Sequence, residues 1–232
     1  MAATEVGTTS LGRTRVVDGE VGFSSQATGS ARVIFGNTKV VCTVYGPSSS
    51  SRDMEEFSEI CKIACDFKFA PFACTGERRR RGRGDDEVEF SSVVEQALFA
   101  SVRTDLYPKS VLNVYVLVLE DDGNVVGAAI TAASLAIAQA GIVCNDLVVA
   151  STLCLLEDGT EAVDPTSLEM ENAQCSILVG YMPNLEKITA MQCSGRATNA
   201  QMAKLIDLCI ERCRKLHASS RTILLEKWQR QE

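Results

Sequence analysis

A chain of 232 residues, 46% hydrophobic and 23% charged, carries enough apolar material to bury a core without disulfide or metal staples. Its formal net charge of −7 excludes a uniformly basic nucleic-acid binder, so any contact with a polyanion is expected on one local surface. The longest apolar stretches, such as Val125 to Ala138, are Ala-rich and too short to span a membrane, and the first residues, with no basic run before an apolar one, argue against a secretory signal.

Residues 1–12 are small and polar and are expected to form a disordered tail. From Val21 the chain reads as strands. Ser30–Phe35 and Thr38–Tyr45 are two of them, with Gly36-Asn37 as the hairpin turn between. Gly46-Pro47 and the serine run to Ser51 are expected to be a loop, and Ile60–Ala70 a further strand. A block of five arginines follows as an exposed loop, Arg78, Arg79, Arg80, Arg81 and Arg83, succeeded at once by Asp85, Asp86 and Glu87. Val88–Thr104 has helical spacing, with Val93, Val94, Leu98 and Val102 on one face. Val111–Glu120 is a β-branched strand, Val126–Ala140 an Ala-rich helix closed by Gly141, and Leu147–Glu157 a buried strand ending in the turn Asp158-Gly159. Cys175–Met182 and Lys187–Cys193 suggest a second hairpin, and Asn199 to at least His217 an amphipathic helix. This order predicts an α+β architecture, β-rich, with helices covering mixed sheets and two similar halves in one unit.

The ten cysteines form no Cys-x-x-Cys pair, and Cys42, Cys144, Cys154 and Cys175 sit inside apolar runs. They read as reduced core residues of a protein from a reducing compartment, which the absence of any Asn-x-Ser/Thr sequon also favours. The spacings Cys61/Cys65 and Cys209/Cys213 invite a metal, but with one histidine in the chain, His217, a zinc site is not expected. His217 itself reads as a partly buried or capping residue.

Three segments could carry chemistry. The arginine block within residues 75–83 offers guanidinium forks that match phosphate geometry, against the plainer reading of a solvated charged loop. Asp158, Glu161, Asp164, Glu169 and Glu171 form a carboxylate cluster that could hold Mg²⁺ or act as acids. Locally they read better as a turn and a helix N-terminus, with Asp164 as N-cap and Pro165 at the first helical position. The strand–helix turn Asp121–Gly127 has the place of a phosphate-binding turn, yet it ends in Asn124-Val125-Val126, which offers no basic or hydroxyl side chain. No nucleotide-binding fingerprint is present, and no cofactor is expected.

Several stretches together resemble one family. Ser25-Gln26-Ala27-x-Gly29-Ser30-Ala31, Gly36-Asn37-Thr38-Lys39-Val40 and Tyr45-Gly46-Pro47 are similar to the opening of RNase PH-type domains. The middle of that family is matched by Leu119-Glu120-Asp121-Asp122-Gly123 running into Ala128-Ala129-Ile130-Thr131-Ala132-Ala133 and Ala140-Gly141-Ile142. Within it, Cys65-Asp66-Phe67-x-x-Ala70-Pro71-Phe72-Ala73 and Val163-Asp164-Pro165-Thr166-x-Leu168-Glu169 resemble subunits of the exosome ring. The resemblance implies a single RNase PH-like domain over residues 13–232, built from duplicated βαβ-type halves. It also implies a six-membered ring with a central RNA channel.

The departures bear on activity. Active relatives hold the attacking phosphate with Gly-Thr-Arg at the strand–helix turn, where this chain has Asn124, Val125 and Val126. Their catalytic aspartates fall on Thr166 and Met170, although a one-residue slip would bring Glu169 or Glu171 into register. The resemblance therefore implies a non-catalytic subunit with no catalytic residue and no metal. Its partners would be other RNase PH-like subunits in a heterohexamer, an S1-type cap protein and single-stranded RNA, met through Arg78–Arg81 and Arg83. The alternative is an active phosphate-dependent 3'-to-5' exoribonuclease. The same resemblance implies a place in the nucleus and nucleolus, and also the cytoplasm.

Overall fold

The computed structural model describes residues 15, 17–49, 59–74 and 84–229. Four strands come first, β1 (Val17–Val21), β2 (Gly29–Phe35), β3 (Thr38–Ser49) and β4 (Lys62–Phe69). Helix α1 (Asp85–Ser101) leads through a 3₁₀ turn at Thr104–Leu106 to β5 (Ser110–Glu120) and α2 (Val125–Gln139). The second half holds β6 (Val149–Leu156), β7 (Glu161–Val163), α3 (Ser167–Glu171), β8 (Ala173–Met182), β9 (Lys187–Gly195) and α4 (Asn199–Gln229). Two sheets result. The five-stranded one runs β1-β2-β3-β5-β4 and is mixed, because β4 pairs with β5 in parallel; the four-stranded one runs β7-β6-β8-β9. Every pairing in the second sheet is antiparallel.

Helix α2 lies between the sheets, packing on β2 and β3 from one side and on β6 and β8 from the other. That position explains its composition: twelve of its fifteen residues are buried, among them five alanines and a glycine, and small side chains let both sheets approach. At the closest approach a Cβ on Gly29 would lie 2.1 Å from the Ala136 carbonyl oxygen, so only glycine fits there. Two hydroxyls on α2 serve the strand that follows. Thr131 accepts from the Ala150 N–H at 3.3 Å and Ser134 from the Val148 N–H at 2.9 Å.

The far edge of the first sheet is closed by side chains rather than by another strand. Glu87, Ser91 and Glu95, one helical turn apart on α1, accept from the backbone N–H groups of Phe69 (3.1 Å), Phe67 (3.2 Å) and Cys65 (2.7 Å). Period 3.6 on the helix thus matches period 2 on the edge strand. One large core holds residues of both halves, from Val33, Phe35 and Phe67 to Val149, Tyr181 and Leu216; a smaller cluster, including Leu153, Ile177, Leu205 and Cys209, lies under α4.

Several expectations need correction. The chain does not leave the sheet at Gly46-Pro47: β3 continues to Ser49, with a register shift between Tyr45 and Ser48 that absorbs the proline. Asp164 is not a helix cap. The cap of α3 is Thr166, whose hydroxyl accepts from the Glu169 N–H at 3.3 Å while the Glu169 carboxylate accepts from the Thr166 N–H at 2.7 Å. Helix α1 starts at Asp85 and β1 at Val17, both earlier than periodicity suggests, and α4 runs to Gln229. The Gly36-Asn37 turn, the Ala-rich helix and the second hairpin stand where expected. Seven of the ten cysteines are buried and Cys193 is exposed. No helix among the described residues is long and apolar enough to cross a membrane.

Candidate functional site

A cleft of about 450 Å³ opens where the turn between β5 and α2 meets the segment between β7 and α3. Phe69, Phe90, Val125, Val126, Met170 and Leu178 give it apolar walls; Asp86, Asp121, Thr152, Ser167, Ser176, Gln192 and Ser194 supply the polar groups. The two segments touch directly. Gly123 has φ +86°, and a Cβ there would lie 2.3 Å from the Pro165 carbonyl oxygen. The fold therefore brings together the two stretches that the family resemblance marks as phosphate-binding and catalytic.

Two polar side chains from those stretches, Asn124 and Asp164, are bonded within the protein. Asn124 sits in the left-handed region (φ 53°, ψ 32°), which asparagine tolerates better than most residues. Its amide nitrogen donates to Asp164 Oδ1 at 2.7 Å and its oxygen accepts from the Thr152 hydroxyl at 2.7 Å. Asp164, also left-handed at φ 51°, is buried. Its other oxygen pairs with the buried Arg212 through Nε and Nη2, each at 2.8 Å, and Ser151 donates to Oδ1 at 3.3 Å. The aspartate in this stretch is thus paired with a cation and coordinated by protein donors, and it is not among the residues that line the cleft.

The remaining candidates are scattered. Glu169 is held in the α3 cap, Glu161 pairs with Lys204 at 2.7 Å, and neither Asp158 nor Glu171 lines the cleft. No group of three or more His, Cys, Asp or Glu among the described residues is placed to hold a metal ion. Met170 lines the cleft, and Thr166 spends its hydroxyl on the cap. Val125 and Val126 line it with methyl groups. His217 is partly buried, 4.0 Å from Asp146, which is itself held by the Asn184 side chain and the Asn184 and Leu185 N–H groups. Arg78, Arg79, Arg80, Arg81 and Arg83 lie outside the described residues.

Sequence reasoning missed several lining residues. Ser176 and Leu178 alternate on β8, and Gln192 and Ser194 on β9, so period-2 spacing could have placed each pair on one face. Phe69, Asp86 and Phe90 carry no local signal. Asp121 folds back to accept from the Gly123 N–H at 3.1 Å, a bond internal to the turn.

Comparison with known proteins fits this geometry. The chain is 34% identical over 214 residues to the exosome complex component Rrp41 of Pyrobaculum calidifontis, covering 92% of this chain and 87% of that protein. To the human exosome complex component MTR3 it is 36% identical over 226 residues, covering 91% and 82%. Rice Rrp46 superposes with a TM-score of 0.77 at 23% identity, covering 91% and 96% of the chains. A chain of the Archaeoglobus fulgidus exosome, solved with RNA bound to the active site, gives 0.76 at 22%, covering 89% of each. These two likenesses concern the fold. Residues 13–143 match the model of domain 1 of the 3' exoribonuclease family and residues 146–212 that of domain 2, so the chain belongs to this family, with the RNase PH fold.

Proposed function

We propose that this chain is a non-catalytic subunit of an exosome-type ring, joined to other RNase PH-like chains and an S1-type cap protein. In this reading it helps to thread single-stranded RNA toward a nuclease carried by another subunit, in nucleus, nucleolus and cytoplasm. The observation that carries the reading is the state of Asp164. Phosphorolysis needs a cation-lined seat for the attacking phosphate and an acid or metal-bound carboxylate beside it. Here Asp164 is sealed in an ion pair with Arg212, and Asn124, Val125, Val126, Thr166 and Met170 supply neither need. Names of the relatives, both exosome components, support the ring. Arg78–Arg81 and Arg83 are the residues proposed to touch the RNA backbone, in a sequence-independent and salt-sensitive way.

The test is a phosphorolysis assay on uniformly labelled RNA with inorganic phosphate, using the purified chain alone. No release of nucleoside diphosphates is expected. Phosphate-dependent release would overturn the reading in favour of an active 3'-to-5' exoribonuclease. That second reading has one observation behind it, since Asp86 and Asp121 still line the cleft; Asp121→Asn should then abolish the release. Independently, replacing Arg78–Arg81 with alanine should weaken RNA binding by the assembled ring and flatten its salt dependence. Unchanged affinity would remove the arginines from the RNA path.

A further inference from the structure

Cysteine suits a core as a small apolar residue, and Cys175 and Cys209 fill that role in the cluster under α4. Cys193 does not. It is exposed, and it stands on β9, the outer strand of the second sheet, which is paired only to β8. Register puts Cys175 opposite Gly195 and Ile177 opposite Cys193. Cys175 and Cys193 therefore share one face of the sheet as diagonal neighbours. That face is turned away from the cleft, because Ser176, Gln192 and Ser194, each next to one of the two thiols in the chain, line the cleft from the other side.

The two strands also approach each other closely at this end. Gly195 has φ +94°, and a Cβ there would lie 2.9 Å from the Cys175 Cα and 2.2 Å from the Gln174 carbonyl oxygen. A diagonal pair in an ordinary sheet has its side-chain-bearing carbons about 7–8 Å apart, and a disulfide accepts up to about 7 Å between Cα atoms. The approach at Gly195 narrows that gap, and β9, bonded on one side only, can move the remainder. Electrostatics agree with the proximity: burial pushes the Cys175 thiol up, and Cys193 adds to the rise. Burial also raises the Cys209 thiol, with Cys213, Asp164 and Cys193 contributing after it. Cys209 is the poorer partner for Cys193, since it is wholly buried on α4 with its thiol turned to the Ser151 carbonyl at 4.0 Å. Among the described residues no three thiols are placed to share a metal ion, which leaves the pair.

We propose that Cys193 and Cys175 form a reversible oxidation site, closing to a disulfide with hydrogen peroxide as the oxidant. The Cys193 thiolate attacks one peroxide oxygen, so that an S–O bond forms, the O–O bond breaks and the other oxygen leaves as water. The Cys175 thiol then displaces the sulfenic oxygen as a second water and the S–S bond forms. Two thiols lose two electrons in all, and one peroxide becomes two waters. Burial raises the Cys193 thiol as well, so thiolate is scarce near neutral pH and the first step quickens as pH rises. The bond fixes β9 to β8 directly behind Gln192, whose amide donates to Glu89 of α1 at 2.5 Å across the cleft wall.

For the test, the reduced full chain is treated with excess hydrogen peroxide at pH 8, the remaining thiols are blocked in denaturant, and linked peptides are mapped by mass spectrometry without reduction. The expected product is a Cys175–Cys193 link that dithiothreitol removes. In Cys193→Ser, Cys175 should stay reduced, because the exposed thiol starts the reaction; in Cys209→Ala the link should form as in wild type. Cys213 should remain a free thiol throughout, as the sign that the core stayed closed. A Cys193–Cys209 link, a link between Cys193 of two copies, or Cys193 carried on to sulfinic acid with Cys175 still free would each overturn the proposal. So would an unmodified Cys193, or a Cys175–Cys193 link that appears only once Cys213 is oxidised too.

Discussion

Asp164 and Arg212 are a buried charge pair, and their energetics follow from desolvation. Each ion loses several kcal/mol of hydration on burial, and the pair is tolerable because Asn124 and Ser151 complete the carboxylate's bonding. Removing one partner leaves the other charged and unanswered. Asp164→Asn or Arg212→Met should therefore cost about 3–5 kcal/mol in urea unfolding. The double variant should cost less than the two single losses added together. A loss below about 1 kcal/mol for Asp164→Asn would mean that the carboxylate is not structurally committed, and the reading of a dismantled catalytic site would weaken with it. None of this could be read locally: Arg212 stands 48 residues further along the chain, and Asp-Pro is an ordinary helix-start signal until the fold supplies the cation. The thiols follow the same logic of burial. Burial pushes the Cys144 and Cys154 thiols up to about 11 and Cys213 to about 12, so at pH 8 almost no thiolate exists at these positions. Brief iodoacetamide treatment of the native chain at pH 8 should modify exposed Cys193 and spare Cys42, Cys154 and Cys213, with all ten labelled after unfolding. Rapid modification of Cys213 in the native protein would show that the core around α4 opens.

Among the elements, α1 and β4 depend on each other more than their sequences reveal. Glu87, Ser91 and Glu95 look like polar positions on the solvent face of an amphipathic helix, yet they close a sheet edge. Ser91 is itself buried and donates to the Glu87 carbonyl at 2.7 Å. Ser91→Ala strands the Phe67 N–H in a buried place and should cost about 1–3 kcal/mol. Hydrogen exchange is the measurement, because the Phe67 amide should lose protection while the β2–β3 amides keep theirs. Equal protection in both proteins would mean that water replaces the hydroxyl without penalty. Legibility differs between elements for physical reasons. The hairpins could be read because burial follows the strand period, and the Ala-rich helix because of its composition, since it is buried nearly all round. Strand β7, three residues long, has no period to detect, and the extension of β3 past a proline contradicts the local rule. The cleft was half legible: the turn after β5 and the stretch before α3 could be named from sequence, but their walls from α1, β8 and β9 come from contacts that only topology creates.

At the scale of the whole molecule, the two family domains meet at about residue 145 but share the larger of the two core clusters. Helix α2 belongs to the first by sequence, yet β6 and β8 cover the side of it turned away from β2 and β3. The chain also clasps itself end to end. Helix α4, the last element, returns to the first strand, where Lys227 donates to the carbonyls of Val21 at 2.7 Å and Gly22 at 2.8 Å. Separating the halves would expose a face of α2 lined by alanine and isoleucine, and the apolar area lost to water would exceed anything a half could regain. Unfolding should therefore be a single transition despite the length of the chain, with far-UV dichroism and tyrosine near-UV signals losing amplitude at one midpoint. Trp228, 71% exposed at the end of α4, would be a poor reporter and should show little change. A fragment ending at residue 143 should fail to give a cooperative transition, because its α2 would lack one of its two covers. Two separated transitions in the full chain would mean that the smaller cluster under α4 folds on its own, so that the second domain holds itself without the shared helix.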